Sequence, residues 1–511
     1  MTQWIIAPVL LPLIGGLLQL VVGRFGLPAQ RVLGLMLAGG LLALGINLLI
    51  LAQAGDTLVY NLGSWPAPFG IVLVLDRLAA MMVLLTSVLA VAALAYANLM
   101  RVDEKGSHFH VLFQLQLFGL NGAFLTGDVF NLFVFFEVLL LASYGLLLHG
   151  SGAGRTRAGL HYVVINLIGS TLFLFAVGAL YGAVGTLNIA DMAQKVAAAP
   201  AERSGLIAAA GLLLLVVFAL KAAMFPLYLW LPQAYSNTSA PVAAFFAIMT
   251  KVGVYAIIRV HGTIFGEQAG ALAWLHMPWV LAGGMVTLVL AALGVMAARG
   301  LREQVAYLVL ASVATLLVAV GLNRVEALAA GLYYLLHSTL LAGAFFLLAD
   351  QIRRSRGAAS DRFDVVVRMR GRRWLGIGFF FAAVALAGLP PMSGFIGKIM
   401  ILEAALEHPW RWFVLASTLT ASLIILVALV RSGSFLFYRP QELALAEDDQ
   451  LGEPPVKSAL WIIGSLLVIA PLLVLFAGEV MDFTTKTATQ LQQVPEYIEA
   501  VIGDPSTGGG R

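Results

Sequence analysis

The 511-residue chain contains no cysteine. That absence excludes disulfides, thiolate zinc sites, iron–sulfur clusters and covalently attached c-type haem together. No cofactor is expected, and redox chemistry would belong to a partner. Charge is scarce as well: 11% of residues are charged and 61% hydrophobic, whereas a soluble domain carries about 25% charged residues. Such an inventory cannot cover a water-facing surface, so a soluble enzyme is excluded. The sequence also lacks a Walker A loop, a GxGxxG turn and an HExxH pair, leaving an ion gradient, the membrane potential or another subunit as the energy source. Nothing points to nucleic acid, and membrane lipid is the expected surrounding.

What is present is a series of apolar runs, each near the ~20 residues that cross a bilayer. They fall at 4–23, 31–52, 76–98, 108–126, 129–149, 160–183, 206–232, 240–264, 277–298, 303–322, 327–349, 374–404, 411–437 and 458–478. The expected fold is therefore an all-α polytopic membrane protein of about fourteen spans. The opening MTQWIIAPVLLPLIGG lacks the basic n-region of a secretory signal and reads as a retained first span. When the span residues Arg31, Arg411 and Arg431 are counted with the joints they adjoin, nineteen of the 30 Lys and Arg residues go with joints after odd-numbered spans and six with the even joints and tails. The positive-inside rule then makes the odd joints cytoplasmic and turns both termini outward. The basic joint RRSRGAASDRFDVVVRMRGRR near 353–373 reads as a topological anchor, with anionic lipid or a soluble partner domain as alternatives. The segment 436–457 reads as a solvated cytoplasmic loop, and the tail after Asp482 as disordered.

Glu137, Lys221, Lys251 and Lys398 lie well inside apolar runs, where a charge costs at least about 2.5–3.5 kcal/mol. One reading makes them helix-to-helix ion pairs or packing groups; the other makes them a chain of titratable groups across the membrane. Lysine suits the second, because burial can neutralise it, whereas arginine keeps its proton. His337 is the one clearly central histidine and can serve as packing residue or proton relay. The other seven histidines lie at span ends or joints. Asp76, Asp128, Arg259 and Asp350 sit at span edges as anchors or path entrances, and Glu403 marks a possible outer end.

Prolines break two of these spans. Pro226 leaves the Ala222 carbonyl without its helical donor, and Pro390–Pro391 does the same for Leu386 and Ala387. Freed carbonyls at membrane depth survive only against protein or a wet cavity, and such breaks beside ionisable groups point to transport sites. The broken spans are five apart, which predicts two five-helix repeats, the second inverted. The expected organisation is an N-terminal three-helix segment (1–107), a first repeat (108–264, broken near 221–232), a second repeat (265–437, broken near 388–398), and a loop, last span and tail (438–511).

The segments GDVFNLFVFFEVLLLASYGL, LKAAMFPLYLWLPQAYSNTSAPVAAFFAIMTKVGVYAIIR and GLPPMSGFIGK resemble the antiporter-like membrane subunits shared by respiratory complex I and Mrp-type cation/proton antiporters, the D-type subunit of the Mrp antiporters most closely. The resemblance runs through nearly all spans. It implies that Glu137 pairs with Lys221, and that Lys251, His337 and Lys398 complete a hydrophilic axis carrying protons. It further implies a hetero-oligomer with other Mrp subunits in a bacterial cell (inner) membrane, exchanging H+ for Na+ or K+. The alternative is a proton-pumping subunit of a complex I-like NADH–quinone oxidoreductase or membrane-bound hydrogenase.

Overall fold

In the computed structural model, residues 2–439 and 452–503 are described. The chain order is α1 (Ala7–Val22), α2 (Leu27–Ala52), β1 (Leu58–Asn61), β2 (Val72–Leu75), α3 (Arg77–Leu99), α4 (Phe109–Leu125), α5 (Val129–Leu148), α6 (Ala153–Val184) and α7 (Ile189–Ala197). It continues with α8 (Ala201–Lys221), α9 (Trp230–Asn237), α10 (Ala240–Phe246), α11 (Met249–Ala256), α12 (Gly262–Ile264), α13 (Met277–Ala297), α14 (Leu301–Gly321) and α15 (Val325–Ser355). After these come α16 (Arg372–Ala387), α17 (Ser393–Ala405), α18 (Arg411–Gly433), α19 (Lys457–Leu467), α20 (Ile469–Leu475), α21 (Ala477–Gln492) and α22 (Val494–Ile502).

Twelve helical stretches among the described residues are long and apolar enough to cross a membrane. The shorter α4 and the broken pair α16–α17 account for the other two expected spans. Burial sorts these spans into rings. Ala240–Ile264, α14 and α15 are almost wholly enclosed, α3 largely so, whereas α1, α2, α18 and α19–α20 present most of their surface outward. Lys251 and His337 belong to the enclosed set.

Both proline breaks take the form inferred from the sequence. At the end of α8, Ala223 adopts the left-handed region (φ 54), and the amides of Ala223 and Met224 bond the carbonyls of Leu220 and Ala219. At the end of α16, Gly388 is left-handed (φ 77), and Gly388 and Leu389 bond Ala385 and Val384 in the same pattern. Pro226 and Pro391 each follow three residues later, where a missing N–H cannot continue a helix. The matching pattern supports the repeat but places the lysines differently: Lys221 ends the helix before its break, while Lys398 lies in the helix after its own.

Several elements depart from the sequence reading. An antiparallel β1–β2 hairpin pairs Leu58 with Leu75, and α7 is a short amphipathic helix capped by Asn188, whose side chain accepts from the Ala190 and Asp191 amides. The tail expected to be disordered after Asp482 is helical through α21 and α22, because Val494, Ile498 and Val501 form a buried stripe. Gln490 fastens this region by donating to Gly55 O and accepting from the Arg77 amide. Within the expected loop 436–457, residues 440–451, including Glu447, Asp448 and Asp449, lie outside the described residues. Hairpin, α7 and α22 share the face opposite the arginine-rich joint.

Candidate functional site

Most of the buried ions fall into two kinds, Arg356 of the basic joint standing apart by donating to the Ser360 and Arg362 carbonyls. In the first, arginine meets carboxylate. Arg259 pairs with Asp76 at 2.6 Å, with both side chains buried. Arg31 meets Asp103 at 2.7 Å, and His110 contacts the same carboxylate at 3.1 Å. Asp350 takes Arg353 and Arg354 at 2.8 and 3.0 Å and accepts from the Tyr96 hydroxyl. Burial alone would raise the Asp103 carboxyl, but hydrogen bonds from His110 and Arg31 outweigh it and hold the group at about 2.

The second kind has no opposite charge beside it. Among the described residues, no carboxylate oxygen lies within 4.0 Å of Lys221, Lys251 or Lys398. Lys251 Nζ, completely enclosed, donates to Ser312 Oγ at 2.9 Å. Lys221 Nζ donates to Asn166 Oδ1 at 3.1 Å. Lys398 Nζ donates to the Ala387 carbonyl at 2.9 Å and to Ser422 Oγ at 3.3 Å. Ala387 is one of the carbonyls that the proline pair was expected to free.

Glu137 is half-buried and accepts from Ser170 Oγ. The implied direct pair of Glu137 with Lys221 is therefore corrected. Asn166 and Ser170, four residues apart and hence on one face of α6, stand on the two sides of the gap. Asn166 is itself oriented by donating to the Tyr162 carbonyl at 2.9 Å. A cavity of about 20 Å³ beside Lys221 is lined by Phe136, Tyr162, Asn166, Trp230 and Met249, room for one water. α11 reaches this place because residue 253 is glycine; a Cβ there would lie 2.4 Å from the Ala222 amide nitrogen.

The second half of the set is linked in the same manner. His337 Nδ1 bonds Ser393 Oγ at 2.7 Å, and its Nε2, without a hydrogen bond, faces Gly394. A Cβ on Gly394 would meet the Ala385 carbonyl oxygen at 2.4 Å and His337 Nε2 at 2.6 Å. The Tyr334 ring lies 5.8 Å from the His337 ring, tilted by 35°, and lines, with Thr315, Thr418 and Ser422, a cavity of about 10 Å³ against Lys398. Ser312 and Thr315 sit one turn apart on α14, so this helix presents hydroxyls toward both Lys251 and the Lys398 cavity.

Two of the edge groups close helix ends. Asp76 and Asp128 cap α3 and α5, accepting from Ala79 N and Asn131 N. Burial pushes the Asp128 carboxyl up to about 6. Glu403 is exposed and joins no buried path. His261 and His276, read as interfacial, are fully buried with ring centroids 5.1 Å apart, while His110 and His149 are buried at the opposite end. The partners Asn166, Ser170, Ser312, Ser393 and Ser422 escape sequence reasoning. Serine and asparagine in a span ordinarily satisfy themselves on their own helix backbone, so their presence carries no signal.

Residues 126–424 match the family described as NADH:quinone oxidoreductase/Mrp antiporter, TM. A probable K+/H+ antiporter subunit of the D type, from Rhizobium meliloti, is 40% identical, covering 99% of this chain and 100% of the relative. An Na+/H+ antiporter subunit of the same type, from Alkalihalophilus pseudofirmus, is 34% identical over 98% and 100%. A solved chain of the Mrp complex from Dietzia sp. has TM-score 0.84 at 26% identity, covering 98% and 100%. A chain of respiratory complex I from Thermus thermophilus shares the fold, with TM-score 0.75 at 24% identity and coverage of 98% and 100%.

Proposed function

The chain belongs to the NADH:quinone oxidoreductase/Mrp antiporter transmembrane family, and from that premise we propose that it is the proton-translocating D-type subunit of a multisubunit monovalent cation/proton antiporter. It is a multi-pass membrane subunit and a secondary transporter component, not an enzyme, and works with other Mrp subunits. Relatives named for Na+ and for K+ make those two ions the exchanged cations. A bacterial cell membrane location, with both termini outward, is the orientation that the nineteen-to-six basic asymmetry favours.

The observation that carries the reading is the split between paired and unpaired buried ions. An arginine bound to an aspartate keeps its own proton and so carries none along a path. A lysine bonded only to a hydroxyl, an amide or a carbonyl has lost water without gaining a counter-charge, which leaves it free to pass its proton on. Glu137, Lys221, Lys251, His337 and Lys398 are the proton-carrying groups on this reading. Neutral side chains on α6 and α14 join them: Ser170 and Asn166 between Glu137 and Lys221, and Ser312 and Thr315 between Lys251 and Lys398. A proton on Glu137 withdraws the negative charge that favours the Lys221 ammonium, and the released proton moves toward Lys251.

Everted vesicles containing the complete complex test the assignment. Added Na+ or K+ should collapse a preformed ΔpH with no electron donor present. A ΔpH that responds only to NADH or another reductant would overturn it.

A further inference from the structure

Lys251 is the start of a second polar column that the relay does not use. Tyr255 and Arg259 follow it at intervals of four, so all three climb one side of the same span toward the face carrying the hairpin and α22. Tyr255 Oη donates to the Phe124 carbonyl at 2.5 Å and accepts from Arg259 Nε at 3.2 Å. Arg259 Nη2 then binds Asp76, which caps α3 at the membrane edge. A π turn over Ile257–His261 carries Arg259, an irregularity often found at functional positions. Above the pair, Tyr497 of α22 places its ring 5.6 Å from the guanidinium, and its buried hydroxyl has no hydrogen-bond partner among the described residues.

Bracing alone is a weak reason for this column. Apolar side chains of similar volume commonly hold helices as well as a buried ion pair does. A tyrosine hydroxyl one turn from a titratable lysine, joined through a single guanidinium to a carboxylate at the membrane edge, is, by contrast, what a path to the surface needs. We propose that Tyr255 and Asp76 form the outer limb of the relay, connecting Lys251 to the face opposite the arginine-rich joint, with Arg259 as a positioning residue and α22 as the lid. Tyr255 lies about 6 Å of helical rise beyond Lys251, and the proposed limb places one water between the two side chains. A proton leaving Lys251 Nζ protonates that water, which passes a proton to Tyr255 Oη as the phenol turns its own from the Phe124 carbonyl to the Asp76 carboxylate, and Asp76 then releases it to water at that face. Arg259 keeps its proton throughout and holds the phenol oxygen and the carboxylate in register. The inference rests on the relay reading above.

The test uses the whole antiporter complex in proteoliposomes, comparing Tyr255→Phe, Asp76→Asn and Lys221→Ala with wild type in H2O and D2O. Phenylalanine keeps the ring packing, and asparagine keeps the α3 cap. Both should lower cation-driven proton movement at least tenfold in normally assembled complex. Both should also enlarge the solvent isotope effect, because proton transfer through the limb becomes rate-limiting. Wild-type rates in both variants, or lowered rates with an unchanged isotope effect, would overturn the limb and leave a brace. Should Tyr255→Phe fail to assemble, Asp76→Asn alone decides between these outcomes. Lys221→Ala separates the two proposals: if it is inactive while Tyr255→Phe and Asp76→Asn are fully active, the limb fails and the relay stands. If Lys221→Ala is fully active, the relay itself fails.

Discussion

At the residue scale, what distinguishes Lys251 from Arg259 is the partner and not the depth. Both are buried on one span; one ends on a serine hydroxyl, the other on a carboxylate. Replacing Lys251 by arginine keeps a cation but removes the ability to become neutral. Lys251→Arg is therefore expected to insert and assemble yet transport at less than a tenth of the wild-type rate, measured as cation-induced ΔpH collapse. Gly394 makes a different kind of demand, since any side chain there strikes both the Ala385 carbonyl and His337. Gly394→Ala should cost about 1–3 kcal/mol of stability by overpacking, and should slow transport further than that loss explains, because His337 must turn away from Ser393. The central lysines were legible in the sequence because charge is expensive in an apolar run. Asn166 and Ser312 were not, since a neutral polar side chain in a helix has an ordinary explanation close by.

At the element scale, the helix breaks show why proline was a reliable guide and polarity was not. Pro226 and Pro391 forbid one backbone donor each, and the chain answers both times with a left-handed residue three positions earlier. Only the structure shows that Lys221 precedes its break and Lys398 follows. The C-terminal helices went unread because α21 is rich in threonine and glutamine, and α22 is too short to announce itself. Their stability comes from a stripe of three side chains on a surface that the sequence does not display. Helix caps carry a further consequence. The Asp128 carboxyl titrates near 6 in the fold and at about 3.9 when unfolded, so the unfolded chain loses its proton first as pH rises. Stability from this group therefore falls between pH ~4 and ~6 and stays lowered above, by about 3 kcal/mol at most. Asp128→Asn keeps the cap and removes the titration. Its complex should melt at higher temperature than wild type at pH 8, and thermal scans at pH 4 should show that difference gone.

At the scale of the whole molecule, scarcity of charge has a double use. Basic residues concentrate in the joints of one face, the asymmetry from which the proposed orientation is argued, while a few unpaired ions lie inside the spans. The all-helical polytopic fold, with twelve helical stretches of membrane-crossing length among the described residues against the fourteen expected, and the family resemblance were legible from composition, spacing and motif. The closure of the opposite face by hairpin, α7 and α22 was not, because it depends on contacts between segments more than 400 positions apart, such as Gln490 with Gly55. Deleting residues 477–511 removes that closure and uncovers the Arg259–Asp76 pair. The shortened subunit should still insert, and its complex should lose thermal stability, read by fluorescence-detected size exclusion after heating.

The relay is tested most directly by the initial rate of Na+- or K+-induced ΔpH collapse in vesicles carrying assembled complexes with Lys221→Ala, Lys251→Ala or Lys398→Ala. Each is expected below a tenth of the wild-type rate at normal complex abundance. A wild-type rate in any of the three would contradict a proton path through the unpaired buried ions.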